Sequence, residues 1–191
     1  FYLGSAREVA HELLGHWIIR NTPQGPCGGL IVETEAYLSD DPACHAFRGP
    51  TARNRAMWGP PGRAYVYLIY GCHICVNAVC RPKGIAEAVL IRSIAPKVGL
   101  TIMRGFRPVA KDRDLTNGPA KLCAALQIDR SLDGTNLCDS NSPIWIGRVP
   151  TLPSHRSRRV EIVTTRRIGI SKAIDLPLRF YLKNDPHVSK T

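Results

Sequence analysis

No apolar run in the 191 residues approaches the roughly 18 needed to cross a bilayer, so the sequence excludes a membrane-spanning helix of ordinary length. The first residues lack the basic-then-apolar pattern of a secretory leader. No G-x4-G-K-[ST] loop is present, which removes phosphoryl transfer by that device. No G-x-G-x-x-G follows a strand-like run, and no G-x-S-x-G elbow offers a serine nucleophile. Internal repeats, low-complexity linkers and a βαβ rhythm are also missing. The last of these argues against a parallel sheet. Acidic residues are absent from the whole interval between Pro42 and Ala86.

What is present is ordinary globular material with a strong basic bias. Hydrophobic residues make up 44% and charged residues 21%, and 26 bases against 15 acids leave a net charge of +11. A chain of this length favours one domain, and residues 1–191 are read as a single unit. The charge is uneven. Residues 1–41 hold six acids and two bases, whereas the acid-free interval holds Arg48, Arg53, Arg55, Arg63, Arg81 and Lys83. Phe47, Trp58, Tyr65, Tyr67 and Tyr70 are interleaved with those bases. Cations neutralise phosphates and aromatic faces stack on bases, so this pattern points to a nucleic-acid partner.

Seven cysteines cannot all pair internally. Cys72, Cys75 and Cys80 form C-x2-C-x4-C with His73 inside, but the second half of a zinc pattern is missing. Strand alternation would place Cys72 and Cys75 on opposite faces. Free, buried thiols in a reducing, intracellular compartment are the expected state.

Ser5 and Glu8 make a capping box before Ala6, Val9, Ala10, Leu13 and Leu14, which predicts a helix over 5–15. A turn over Pro23–Gly29 should lead into the strand LIVETEAYL (30–38). Residues 39–63 read as a long loop, a length usually tied to function. AYVYLIY and CHICVNAVC, joined at Gly71, predict a hairpin. A strand over 87–94, a short helix near 97–105 and a helix from Asn117–Pro119 to Gln127 follow. Strands near 143–148 and 159–164 and the closing segment DLPLRFYL complete the chain. The expected class is α+β, with a curved antiparallel or mixed sheet flanked by helices and a protruding β-hairpin.

Several residues stand out chemically. Period-two geometry puts Glu33, Glu35 and Tyr37 on one strand face. Two carboxylates in an apolar strand must be paired, solvated or functional, and one beside an aromatic could act as a general base on water. Spacing does not choose between Glu33 and Glu35, nor exclude an edge strand with its polar face in water. Tyr65 and Tyr67 share a face, and Tyr70 lies opposite at the hairpin tip, where a large ring can wedge between base steps. Asn77 is a polar residue in an apolar strand, Arg92 a cation in mid-strand, and His45 a lone loop histidine. Each has a purely structural reading as well: a satisfied core amide, an ion-pair partner and a surface histidine. The helix start at Asn117–Pro119 presents backbone N–H groups, as every helix does.

The motifs IVETEAYL (31–38), His45, TARNRAMWGPPGRAYVYLIYG (51–71), NGPAKLCAAL (117–126), RIGISKA (167–173) and DLPLRFY (175–181) together resemble the alkyladenine, or 3-methyladenine, DNA glycosylase family. The resemblance runs through nearly the whole chain in order. It implies hydrolysis of the N-glycosidic bond of alkylated or deaminated purines in double-stranded DNA by a monofunctional enzyme that needs no cofactor or metal. On that resemblance Glu35 is the general base, and Tyr37, His45 and Tyr67 enclose the flipped base. Tyr70 intercalates in the minor groove, Asn77 crowds the 2-amino group of guanine, and Arg92 lies beside the site. Cys72 stands where the family pattern has Met, and Trp58 where Phe is more usual. No lysine is expected in the pocket motifs, hence no Schiff base. A monomer with no membrane association is expected. A non-catalytic nucleic-acid-binding module and a zinc protein built on Cys72, Cys75 and Cys80 are the rival readings.

Overall fold

The computed structural model describes residues 1–148 and 161–189. Helix α1 (Ala6–Leu13) opens on the expected capping box. The Glu8 N–H donates to Ser5 Oγ at 3.3 Å, and the Ser5 N–H donates to Glu8 Oε2 at 3.0 Å. The chain then enters an eight-stranded sheet whose ladders are antiparallel throughout. Its strands are β1 (Trp17–Thr22), β2 (Gly25–Tyr37), β3 (Ala64–Ile69), β4 (His73–Cys80), β5 (Glu87–Val98), β6 (Ile144–Gly147), β7 (Ile162–Thr165) and β8 (Arg179–Leu182). They run β3-β4-β5-β2-β1-β6, with β8 against β2 and β7 against β8. Helices α2 (Leu100–Phe106) and α3 (Pro119–Ala125) complete the α+β fold. The β3–β4 hairpin forms as expected. The first residues of the strand expected over 159–164 lie outside the described residues.

Two boundaries differ from the sequence reading. Gly25, Gly28 and Gly29 do not form a turn but belong to β2. A Cβ on Gly28 would sit 2.1 Å from the Ile18 carbonyl, and one on Gly29 would sit 2.0 Å from that of Ala95. Here glycine permits close strand approach beside a bulge rather than reversing the chain. Strand β5 also continues to Val98, past Pro96, so the helix expected from 97 begins at Leu100.

The sheet is buried on both faces, and its alternation sorts the side chains. Ala64, Val66, Val76, Ala78, Val89, Ile91 and Ala36 enter the main core, which also contains residues of α1 and α3. Tyr65, Tyr67, Cys75, Val79, Ala88 and Leu90 form a second cluster with Cys44 and Met57 from the 38–63 loop. That loop, lacking helical or strand periodicity, covers the second face and makes the candidate site.

The cysteine expectation needs correction at two positions. Cys27, Cys44, Cys75, Cys80 and Cys123 are buried, whereas Cys72 and Cys138 are exposed. Cys72 lies in the hairpin turn, outside the pleat to which the alternation argument applies. Among the described residues no group of three or more His, Cys, Asp and Glu is gathered to hold a metal ion.

Candidate active site

β2 is not an edge strand where it carries the two carboxylates. Glu33 and Glu35 pair across to Ser93 and Leu90 of β5 on one side and to Tyr181 and Arg179 of β8 on the other. Thr34 faces the opposite way, and its hydroxyl donates to the Ala10 carbonyl of α1 at 2.8 Å. Both carboxylates have 0% exposure. Burying charge without partners is costly, so their partners define the site.

Those partners separate the two residues. Glu33 Oε1 accepts from Arg92 Nε at 2.8 Å, Arg179 Nε at 2.7 Å and Ser189 Oγ at 2.7 Å, while Oε2 accepts from Ser189 N–H at 2.7 Å. It is a structural hub. Glu35 Oε1 receives the Ile168 N–H at 2.8 Å and lies 3.1 Å from Arg92 Nη1, and the Tyr37 hydroxyl donates to Oε2 at 2.9 Å. Burial works against the Arg92 charge, but Glu35 and then Glu33 outweigh it and raise its pKa. Burial, followed by the charge of Glu35, holds the Tyr37 phenol well above its ordinary pKa, so it remains a donor.

Tyr37, Arg92 and Ile168 all line a cavity of about 480 Å³, together with His45, Tyr65, Tyr67, Asn77, Tyr70 and residues 168–172. This volume lies within the range of small-ligand clefts. Glu35 lies one hydrogen bond behind the cavity wall. The walls are aromatic: Tyr65 and Tyr67 stack with centroids 5.2 Å apart, and the His45 ring meets Tyr67 edge-on at 4.5 Å. His45 Nδ1 is 3.0 Å from the Tyr65 hydroxyl. Desolvation, then the charge of Arg53, lowers the His45 pKa, so a neutral imidazole with one donor and one acceptor faces this rim. Asn77 is 3% exposed, and its Nδ2 donates to the Tyr65 carbonyl at 3.0 Å. The satisfied-amide reading of Asn77 therefore holds alongside its place on the cavity wall. Burial pushes the Cys44 thiol beside the cavity up to about 11.

Tyr70 departs from strand alternation. It and Gly71 take positive φ, 52° and 72°, in a turn where the Cys72 N–H donates to the Ile69 carbonyl at 3.3 Å. The turn lets Tyr70 border the same cavity as Tyr67 instead of facing away, while 76% of it remains exposed. A left-handed tyrosine costs roughly 1–3 kcal/mol, which the sheet below must offset. Arg53 Nη2 braces the hairpin by donating to the Leu68 carbonyl at 2.9 Å.

Four contributors were not singled out from the sequence. Asn54 folds the loop back by donating to the His45 and Gly49 carbonyls at 2.9 and 3.0 Å. Asp41 and Arg167 form a buried ion pair, and Ile168 supplies its N–H to Glu35. Arg167 and Ile168 open RIGISKA, but no hydrophobic period marks them. Lys172, in the same motif, is exposed and lines the cavity, which corrects the expectation that the pocket motifs contain no lysine. Asn117 lies outside this cavity lining. Its side chain is engaged by Lys121 and Asp114 at 2.9 and 3.1 Å, while Pro119 and Ala120 reach the cavity edge.

The site thus combines a buried carboxylate held by two hydrogen-bond donors and an arginine, an aromatic cleft and a projecting ring, on a chain of net charge +11. The family model described as methylpurine-DNA glycosylase matches residues 1–186. Three similar curated proteins all carry the name "Putative 3-methyladenine DNA glycosylase". One, from Methanoculleus marisnigri, is 47% identical over 190 residues, covering 100% of this chain and 96% of that protein. One from Rubrobacter xylanophilus is 48% identical over 169 residues, covering 88% and 84%. The third, from Carboxydothermus hydrogenoformans, is 45% identical over 190 residues, covering 100% and 96%. With the match spanning fold and site alike, this chain belongs to the methylpurine-DNA glycosylase family and is a hydrolase of DNA repair.

Proposed function

We propose that the protein hydrolyses the N-glycosidic bond of alkylated, and also deaminated, purines turned out of duplex DNA, and that it is monofunctional. The observation that carries this reading is the fully buried Glu35, one hydrogen bond behind an aromatic cavity bordered by the hairpin-tip Tyr70. Glu35 accepts a proton from water as its oxygen attacks C1′. The bond from C1′ to the base nitrogen breaks, and its electron pair leaves with the purine. The same negative charge stabilises the oxocarbenium-like sugar, and Arg92 fixes the carboxylate in place. Tyr37 and Tyr67 hold the purine face, a contact that favours an electron-poor ring. His45 offers polar recognition at the rim, and Asn77 disfavours normal guanine by crowding its 2-amino group. Arg48, Arg53 and Arg55, all exposed, and Lys172 at the rim face phosphates. Flipping costs a few kcal/mol, a magnitude taken from the general behaviour of glycosylases, and Tyr70 fills the vacated stack. The protein works as one unit and as a monomer, without a cofactor.

The test is release of free base from defined duplexes carrying 3-methyladenine, 7-methylguanine, hypoxanthine or normal purines. Release from at least one lesion, leaving an intact abasic strand and no borohydride-trapped complex, is expected. Salt-sensitive binding with no release from any duplex would support a non-catalytic module instead, and a trapped adduct on Lys172 would contradict monofunctional chemistry. Tyr70→Ala is expected to reduce excision from duplex DNA about tenfold. Release from the same lesion in single strands, where no stack must be filled, should change less than twofold (about 1–3 kcal/mol of stacking is at stake per base). Single-turnover rates on the two substrates check this.

A further inference from the structure

Tyr37 meets the cavity on one side and an arginine on another. The Arg167 Cζ lies 4.6 Å from the Tyr37 ring centroid. Arg167 does not line the cavity, and its side chain is 0% exposed, so the guanidinium stands behind the ring. It is held there by three hydrogen bonds to two groups. Asp41 forms a buried ion pair with it, including an Nη2–Oδ1 contact at 3.0 Å, and Nη1 donates to the Ala36 carbonyl at 2.9 Å. Asp41 is itself oriented by the Ala43 N–H at 2.9 Å.

An aromatic face attracts a cation through its electron-rich quadrupole. A cation fixed behind the ring draws that density backward and adds like-charge repulsion through a poorly screened interior. The front face is left less attractive to a second cation, with little change for a neutral ring of the same shape. Asp41, paired with the guanidinium, offsets part of the repulsion. We propose that Arg167 is a specificity-determining residue that lowers the preference of the cavity for cationic purines, such as 7-methylguanine, relative to neutral ones, such as hypoxanthine. The inference rests on the excision reading above, with Tyr37 as a wall of the purine site.

The test compares single-turnover excision of 7-methylguanine and hypoxanthine from otherwise identical duplexes, at a pH where the methylated base stays cationic. R167Q/D41N removes both buried charges and leaves amides able to hydrogen-bond, so the cationic-to-neutral ratio should rise about threefold. D41N alone keeps the guanidinium and removes its counter-charge, so the ratio should fall about twofold. R167K puts Nζ where Cζ stood, so it should slow both reactions together and leave the ratio near that of wild type. If the double variant does not fold, the opposite shift expected of D41N still decides the matter. Parallel loss of both activities, with ratios unchanged in D41N and the double variant, would overturn the inference and leave Arg167 as a strut. A wild-type protein that excises neither base would sink the excision reading itself, a failure distinct from an unmoved ratio.

Discussion

Glu35→Gln is expected to slow base release by about a thousandfold while binding to lesion-bearing duplex stays within a few-fold of wild type. A positioned general base contributes roughly 10²–10⁴ in rate, and loss of the charge facing an oxocarbenium-like sugar adds to that. The substitution suits the geometry. The amide oxygen still accepts the Ile168 N–H, and the Tyr37 hydroxyl can rotate to accept from the amide nitrogen. The aromatic walls and the hairpin are untouched, so binding should survive. Single-turnover excision and gel-shift titration of the same variant check both halves. Near-normal excision would remove Glu35 from the chemistry.

The neighbouring carboxylate should behave in the opposite manner. Glu33→Ala leaves the Arg179 guanidinium without its carboxylate and Arg92 with Glu35 alone, and takes the acceptor from the Ser189 N–H and hydroxyl. Removing one side of a buried ion-pair network costs about 3–5 kcal/mol. For a protein of this size that lowers the melting midpoint by roughly 10 °C. Calorimetry or thermal circular dichroism measures this directly. If the midpoint moves by no more than a degree or two, the hub assignment is wrong. The pair of variants therefore separates two residues that strand spacing treats alike: one loss should appear in rate and the other in stability.

Much of the fold is local and was legible. The capping box fixes α1, the alternation of Tyr65 and Tyr67 against Ala64 and Val66 fixes β3, and the break at Tyr70–Gly71 fixes the hairpin. Gly28 and Gly29 misled because glycine marks both turns and close approaches, and only the packed neighbours Ile18 and Ala95 tell which. At the site, residue types alone identified Glu33 and Glu35 as unusual but left them equal. Their difference comes from Arg179, Ser189 and Ile168, contacts separated by 133 to 156 residues in the chain, which no short-range pattern carries. Asp41 and Arg167 escaped notice for the same reason, lying 126 residues apart. The resemblance to a glycosylase family supplied what spacing could not, a preference for Glu35. The structure adds that Glu35 is held by the Ile168 N–H, the Tyr37 hydroxyl and the charge of Arg92.

Ser189 reaches back to Glu33, the carboxylate beside Glu35, and β8 flanks the strand that bears both. A nascent polypeptide emerging from the ribosome can assemble its helices and the Tyr67 hairpin early. Arg92 can meet Glu33 as soon as β2 and β5 pair, but Arg179 and Ser189 join it only once residues 179–189 have been translated. Until that moment Glu33 lacks three of its four hydrogen-bond donors. Loss of Ser189 should strip two of those donors, its N–H and its hydroxyl, from the carboxylate.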